Sequence, residues 1–409
     1  MPISTTLKPL GPLFALSATL AAGPAMAQDA QDLANKLQAV YATAGYDIVL
    51  GAGTVSGDSI SYDGLTVAIK ALGVAEPLKI GTKLTFNGVK EQADGSYDAE
   101  EMVIPDMNVD VDTVSVEIKD MVFKGVHISG AATPTVDDLI QAFTSFNSGP
   151  ITANENGQTV VEVASLSGTN DFERGADGKV TSVTAEAQLD GLKAPLPAIP
   201  DPQAKAFVDA LQLTSVSGKA HESMHWNFAD GNMNIDDLSL TLDDLGSIAM
   251  SFNITGYTTQ FLQETNEAQA RIIDLEAKGD TEGVTGEQNQ MAAKMMSNLS
   301  LVSASVRYDD DSAVGKILDY LGKQQNITGE QMASGLKMVV PAMLAQSGLQ
   351  SISADVSAAV SNFLDDPQSL QVSVEPAAPL AFGAIAGAAA QPDTLASTLG
   401  LQVVANEAN

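Results

Sequence analysis

Apolar residues recur along this chain in two alternating rhythms. Leu33, Leu37, Val40 and Tyr41 fall at helical spacing within Asp29 to Ala44. Strand-like runs then follow at Tyr46–Leu50, Ser59–Ile69, Lys79–Phe86, Ser96–Ile104, Asn108–Ile118 and Met121–Ile128. Asp63-Gly64 and Asp94-Gly95 punctuate these runs as hairpin turns. A second unit opens with a helix predicted over Val136–Phe146, with Leu139, Phe143 and Phe146 on one face. Strands at Thr159–Ser165 and Val180–Leu189 continue it, with Asp177-Gly178 between them. The third opens at Asp201-Pro202, an N-cap followed by proline at N1, with a helix to about Leu213. Its strands run from Val216 to Tyr257 around Asp230-Gly231.

Past Tyr257 the rhythm turns mostly helical. Helices are predicted over Thr259–Lys278, Gly286–Asn298, Ala313–Gln324, Gly329–Leu344, Ile352–Leu364 and Pro392–Leu399. Strands are predicted at Leu301–Tyr308, Leu370–Val374 and Leu401–Val404. Helix followed by antiparallel meander, three times over, predicts an α+β fold. Its centre is one long, curved antiparallel β-sheet with helices packed on one face, because strands adjoin strands through tight turns. Residues 28–257 form the repeated helix/antiparallel-sheet region, and 258–409 a helix-rich C-terminal region completing the same sheet. Ile235 to Leu242 alternate, which implies one wet face and one apolar face.

The ends refine this picture. Lys8, the apolar run Leu10 to Ala22 and Ala25-Met26-Ala27 read as a signal peptide at 1–27, with cleavage expected after Ala27 and export to the periplasm. The chain has no cysteine, which excludes disulfide staples, thiolate metal sites and cysteine nucleophiles. No later segment reaches the roughly 18 apolar residues of a membrane span. With 51 acidic residues against 20 basic ones, the surface repels phosphate backbones, so no nucleic-acid partner is expected. Attraction for Ca²⁺ is the weaker functional reading of the same charge.

One stretch spells a catalytic word: His221-Glu222-Ser223-Met224-His225 matches H-E-x-x-H. That motif works on a helix, where both imidazoles reach one zinc ion a turn apart. Here Ala220, Met224, Trp226 and Phe228 alternate with Lys219, His221, Ser223, His225 and Asn227, which predicts a half-buried strand with Glu222 as its exception. On a strand the two histidines stand about 13 Å apart, too far to share an ion. Ser334-Gly335-Leu336-Lys337 spells S-x-x-K without the companion motifs of a serine acylase. Asp106, Asn108, Asp110 and Asp112, like Asp230, Asn232, Asn234 and Asp236, lack the glycine and closing glutamate of a calcium loop and read as wet strand faces. Asp309 to Asp311 read as a helix N-cap. Met291, Met295, Met296, Met332, Met338 and Met343 read as adaptable core filler, or as the wall of a groove for an apolar ligand.

At ASVRYDDDSAVGKILDYLGKQQ (304–325) and FLDDPQSLQVSVEPAAPLAF (363–382) the chain resembles a group of uncharacterised exported proteins of Gram-negative bacteria. More loosely, Leu240–Gly256 and the ending Pro392-x-x-Leu395…Leu399-Gly400-Leu401 are similar to AsmA-like periplasmic β-rich proteins. That resemblance implies a link to envelope lipids and carries over no site residue.

The sequence thus predicts a non-enzymatic periplasmic protein with no catalytic, cofactor-binding or metal residue assigned. It would bind an apolar small molecule or lipid in a sheet/helix groove, or an envelope protein partner. A purely structural or interaction protein without ligand is the second reading. A zinc hydrolase through His221-Glu222-Ser223-Met224-His225 is the third.

Overall fold

A computed structural model describes residues 29–69, 77–111, 113–196, 202–210 and 213–407. The signal segment, Asp112 and the N-cap residue Asp201 lie outside the described residues. Helix α1 (Ala30–Ala42) leads into β1 (Tyr46–Leu50), β2 (Gly53–Ser56), β3 (Ser59–Ile69), β4 (Leu78–Asn87), β5 (Lys90–Glu91), β6 (Tyr97–Val111) and β7 (Val114–Ile128). Helix α2 (Val136–Ile140) precedes β8 (Ser145–Asn147), β9 (Ile151–Glu155), β10 (Gln158–Val163), β11 (Ser165–Arg174) and β12 (Val180–Pro195). Helix α3 (Pro202–Ala210) precedes β13 (Ser215–Asn227), β14 (Met233–Leu242) and β15 (Gly246–Thr255). A helical hairpin, α4 (Thr259–Ala277) and α5 (Thr281–Asn298), feeds β16 (Ser300–Asp310). Then come α6 (Ala313–Gln324), α7 (Gly329–Gln346), α8 (Ser353–Asp365), β17 (Ser369–Val374) and β18 (Leu380–Ala381). The chain closes with α9 (Phe382–Ala388), α10 (Pro392–Thr398) and β19 (Gln402–Ala405).

All the strands join one antiparallel sheet, so the α+β expectation holds. The order follows the chain: β3, β4, β6, β7, then β8 with β11 and β9 with β10, then β12 to β17 and β19. Where strands adjoin directly, tight turns at Asp94-Gly95, Asp177-Gly178 and Asp230-Gly231 join them; Asp63-Gly64, expected as a turn, instead lies inside β3, where the register to β4 shifts between Asp63 and Leu65. At Asp94-Gly95 the glycine takes φ +84°, a left-handed conformation favoured by glycine.

Directly paired residues of an antiparallel sheet share a face, so one row can be followed from strand to strand. It runs Ile60, Phe86, Met102, Phe123, Phe146 on β3, β4, β6, β7 and β8. It continues through Gly168, Ala187 and Glu222 on β11, β12 and β13. It ends Leu238, Met250, Val306, Val372, Val403 on β14, β15, β16, β17 and β19. Eleven of these thirteen residues are apolar; only Gly168 and Glu222 depart. Helix α1 covers the first part, where its buried Leu33 and Leu37 join Ile60, Tyr62, Phe86 and Tyr97 in the main core. Helices α4 and α8 meet the same face further along, where Trp226 of β13 contacts Phe261 of α4 through Tyr257 and Tyr308 of β16 contacts Phe363 of α8. One face of the sheet therefore carries α1, α4 and α8.

Three local expectations give way to tertiary contacts. The second helix stops at Ile140 rather than Phe146, because Phe143 and Phe146 stack with Phe123 at centroid distances of 5.2 to 6.2 Å and Phe146 enters β8. Asn108 to Ile118 is not one strand but the two arms of the β6–β7 hairpin, paired Asp110 to Ser115 and Val111 to Val114. Strand β11 escapes the period-two reading because Gly168 and Asn170 occupy inner-face positions. Asn170 is satisfied there by donating to the Phe143 carbonyl at 3.2 Å, and the Phe146 ring lies where a Cβ at 168 would be, 2.5 Å from its Cε1.

Candidate functional site

The inner row begins closed and ends open. Ile60 and Phe86 are 0 % exposed beneath α1, whereas Leu238, Met250, Val306 and Val372 are 36 to 43 % exposed. One step along the strands, Leu240 and Ile248 are paired and exposed to a similar degree. Six large apolar side chains on four adjacent strands thus stand open on the face that elsewhere forms the core. Exposed apolar residues are common singly, but a contiguous set marks a contact surface.

Both ends of this stretch are capped. Toward the start of α4, Trp226 is buried, with its ring 5.6 Å from Tyr257 and 4.7 Å from Phe228, and its Nε1 donates to the Tyr257 carbonyl at 2.6 Å. Tyr257 in turn stacks on the buried Phe261 of α4 at 5.7 Å. At the other end, Tyr308 stacks on the buried Phe363 of α8 at 6.3 Å. Its hydroxyl donates to Asp310 Oδ1 at 2.7 Å, with the Leu245 carbonyl 3.1 Å away. Burial, then the Asp310 carboxylate, push the Tyr308 hydroxyl well above its ordinary pKa. Asp310 also accepts from the Val314 amide at 2.9 Å, but the N-cap of α6 is Ser312 rather than a residue of the aspartate run, and Asp309 pairs with Arg307. Nearer α1 on the same face, Phe123, Phe143 and Phe146 cluster, with Phe123 packed against the α1 core.

The H-E-x-x-H residues lie within β13, extended as their alternation predicts. His221 pairs across to Ser239 and holds Asp237 through Nδ1 at 2.9 Å; His225 pairs to Asn234 and meets Thr184 Oγ1 at 3.1 Å. Ser223 shares their polar face. Met224 and Glu222 point to the opposite, apolar side with the buried Trp226, while Phe228 just past the strand is half-buried. Among the described residues no three His, Asp or Glu side chains are gathered to hold one metal ion. Asp230 accepts from the Asn232 amide at 2.9 Å and Asn232 donates to Asn253 at 3.0 Å, so that series closes a turn. Lys337 pairs with Asp365 across to α8, and that accounts for the lysine of S-x-x-K.

The methionines differ from the core-filler expectation. Met332 is buried and Met291 half-buried, but Met295, Met296, Met338 and Met343 are exposed. On α7, Leu336, Val339 and Met343 are exposed at i, i+3 and i+7, an apolar stripe on an outward helix face. The alternation of β14 to β17 marks the inner residues in the sequence. That the helices leave them uncovered has no sequence signal.

No helix among the described residues is long and apolar enough to cross a membrane. A family model described as an uncharacterized protein matches residues 239–406. That span takes in Leu240, Ile248, Met250, Val306 and Val372 of the open stretch. No curated protein matches the chain.

Proposed function

We propose that this protein is a non-enzymatic, exported binder of an apolar ligand, held on the open stretch of its sheet between α4 and α8. The observation that supports this reading is the row from Ile60 to Val403, closed by a helix at one end and open over four strands at the other. A ligand covering about 200 Å² of such surface would gain about 5 kcal/mol before entropic costs. The signal-like residues 1–27 support export to the periplasm, and the likeness to AsmA-like proteins makes an envelope lipid a natural occupant.

Protein purified gently is expected to carry lipid in native mass spectrometry, and to bind the neutral probe N-phenyl-1-naphthylamine saturably. Val306→Asp places a carboxylate in the middle of the stretch, at a position too exposed to disturb the core. It is expected to weaken probe binding about tenfold or more, because the ligand would bury a charge. No co-purified lipid and no saturable probe binding would sink the reading. A second reading, an interaction protein without a ligand, rests on the exposed stripe of α7. The same preparation separates the two: under the second, extraction yields no lipid and a protein partner co-purifies.

A further inference from the structure

Glu222 breaks the inner row, and its surroundings define what it could meet. It is flanked in register by Ala187 on β12 and Leu238 on β14, with Ala220 and Met224 on either side along its own strand. It is half-buried, and among the described residues its carboxylate takes part in no hydrogen bond or ion pair. Asp310, the acidic residue at the far end of the same face, is occupied by Tyr308 and the Val314 amide. Glu222 is therefore a carboxylate without a protein partner, set beside the opening where Leu238, Met250, Val306 and Val372 begin. A carboxylate in such a place loses hydration when a ligand covers it, and a cation on the ligand offsets that loss. The net charge of −31 repels anionic head groups and draws cations toward the whole surface.

We infer that the open stretch takes a cationic amphiphile, an aliphatic chain lying over Leu238, Met250, Val306 and Val372 with a protonated amine on Glu222. This rests on the binding reading above and gives it a head-group chemistry. The test uses displacement of N-phenyl-1-naphthylamine by decylamine, protonated at neutral pH, and by decanol. Decylammonium is expected to displace the probe at roughly three- to fivefold lower concentration than decanol, the size of a partly exposed ion pair. Glu222→Gln should erase that difference and leave decanol unchanged. Equal displacement by the two chains in the natural protein would overturn the assignment to Glu222. So would a preference for the amine that survives Glu222→Gln, since bulk charge would then explain it. In both cases decanol still displaces the probe, and the apolar stretch stands. If neither chain displaces the probe, the binding reading has failed first and this inference falls with it.

Discussion

At the scale of single residues, the core under α1 is tied by one carboxylate. Asp32 accepts from Lys36 Nζ and, at 2.9 Å, from the hydroxyl of the buried Tyr97. The Lys36 hydrogen bond holds the Asp32 carboxyl below its ordinary value of 3.8, against the opposing effect of burial; burial and then Asp32 raise the Tyr97 hydroxyl. A carboxyl whose folded-state pKa is depressed adds stability above its unfolded pKa, and this is lost as pH falls through the lowered value. Asp32→Asn is therefore expected to lower the urea midpoint at neutral pH, with the gap to the natural protein closing below about pH 4. A gap constant with pH would assign the effect to packing. Nothing in the sequence signals this pairing, since Asp32 and Tyr97 are 65 residues apart. Glu222 is different: as the lone exception to the alternation of its strand it is visible in the sequence, while its lack of a partner is not.

Elements differ in how firmly they are held. Strands β6 and β7 share a thirteen-pair register and a buried face, whereas α5 has no buried residue and rests on α4 and α9. Local opening costs least where few apolar contacts must break. Amides of α5 are thus expected to exchange with deuterium orders of magnitude faster than the paired amides of β6 and β7. Equal protection would mean that something covers α5 in solution. Elements whose local pattern agrees with their packing were legible: α1 and α4, and strands β13 to β17. In two others the packing contradicts the local pattern. β11 has Gly168 and Asn170 on its inner face, and α2 ends early because the phenylalanine cluster claims the residues that would extend it. The H-E-x-x-H word belongs with the legible set, because its alternation marks β13 as a strand.

On the scale of the whole molecule, the charge excess acts against compactness. A net charge of −31 makes mutual repulsion greatest in the folded state, where the charges are closest together. Added salt shortens the Debye length to about 8 Å at physiological strength, so the Tm is expected to rise as NaCl is raised from near zero. A Tm that stays flat or falls would show that attractive pairs such as Arg307 with Asp309 dominate instead. Period-two alternation, Asp-Gly turns and helical spacing determined by themselves an antiparallel sheet with one apolar face and helices able to cover it. Those signals are local, since each depends on residues a few positions apart. Only the tertiary structure decided where the helices lie on that face. Coverage depends on contacts between distant segments, such as Leu33 with Phe86 or Tyr308 with Phe363. An inner-face leucine reads the same in sequence whether a helix lies over it, as over Leu84, or nothing does, as at Leu238.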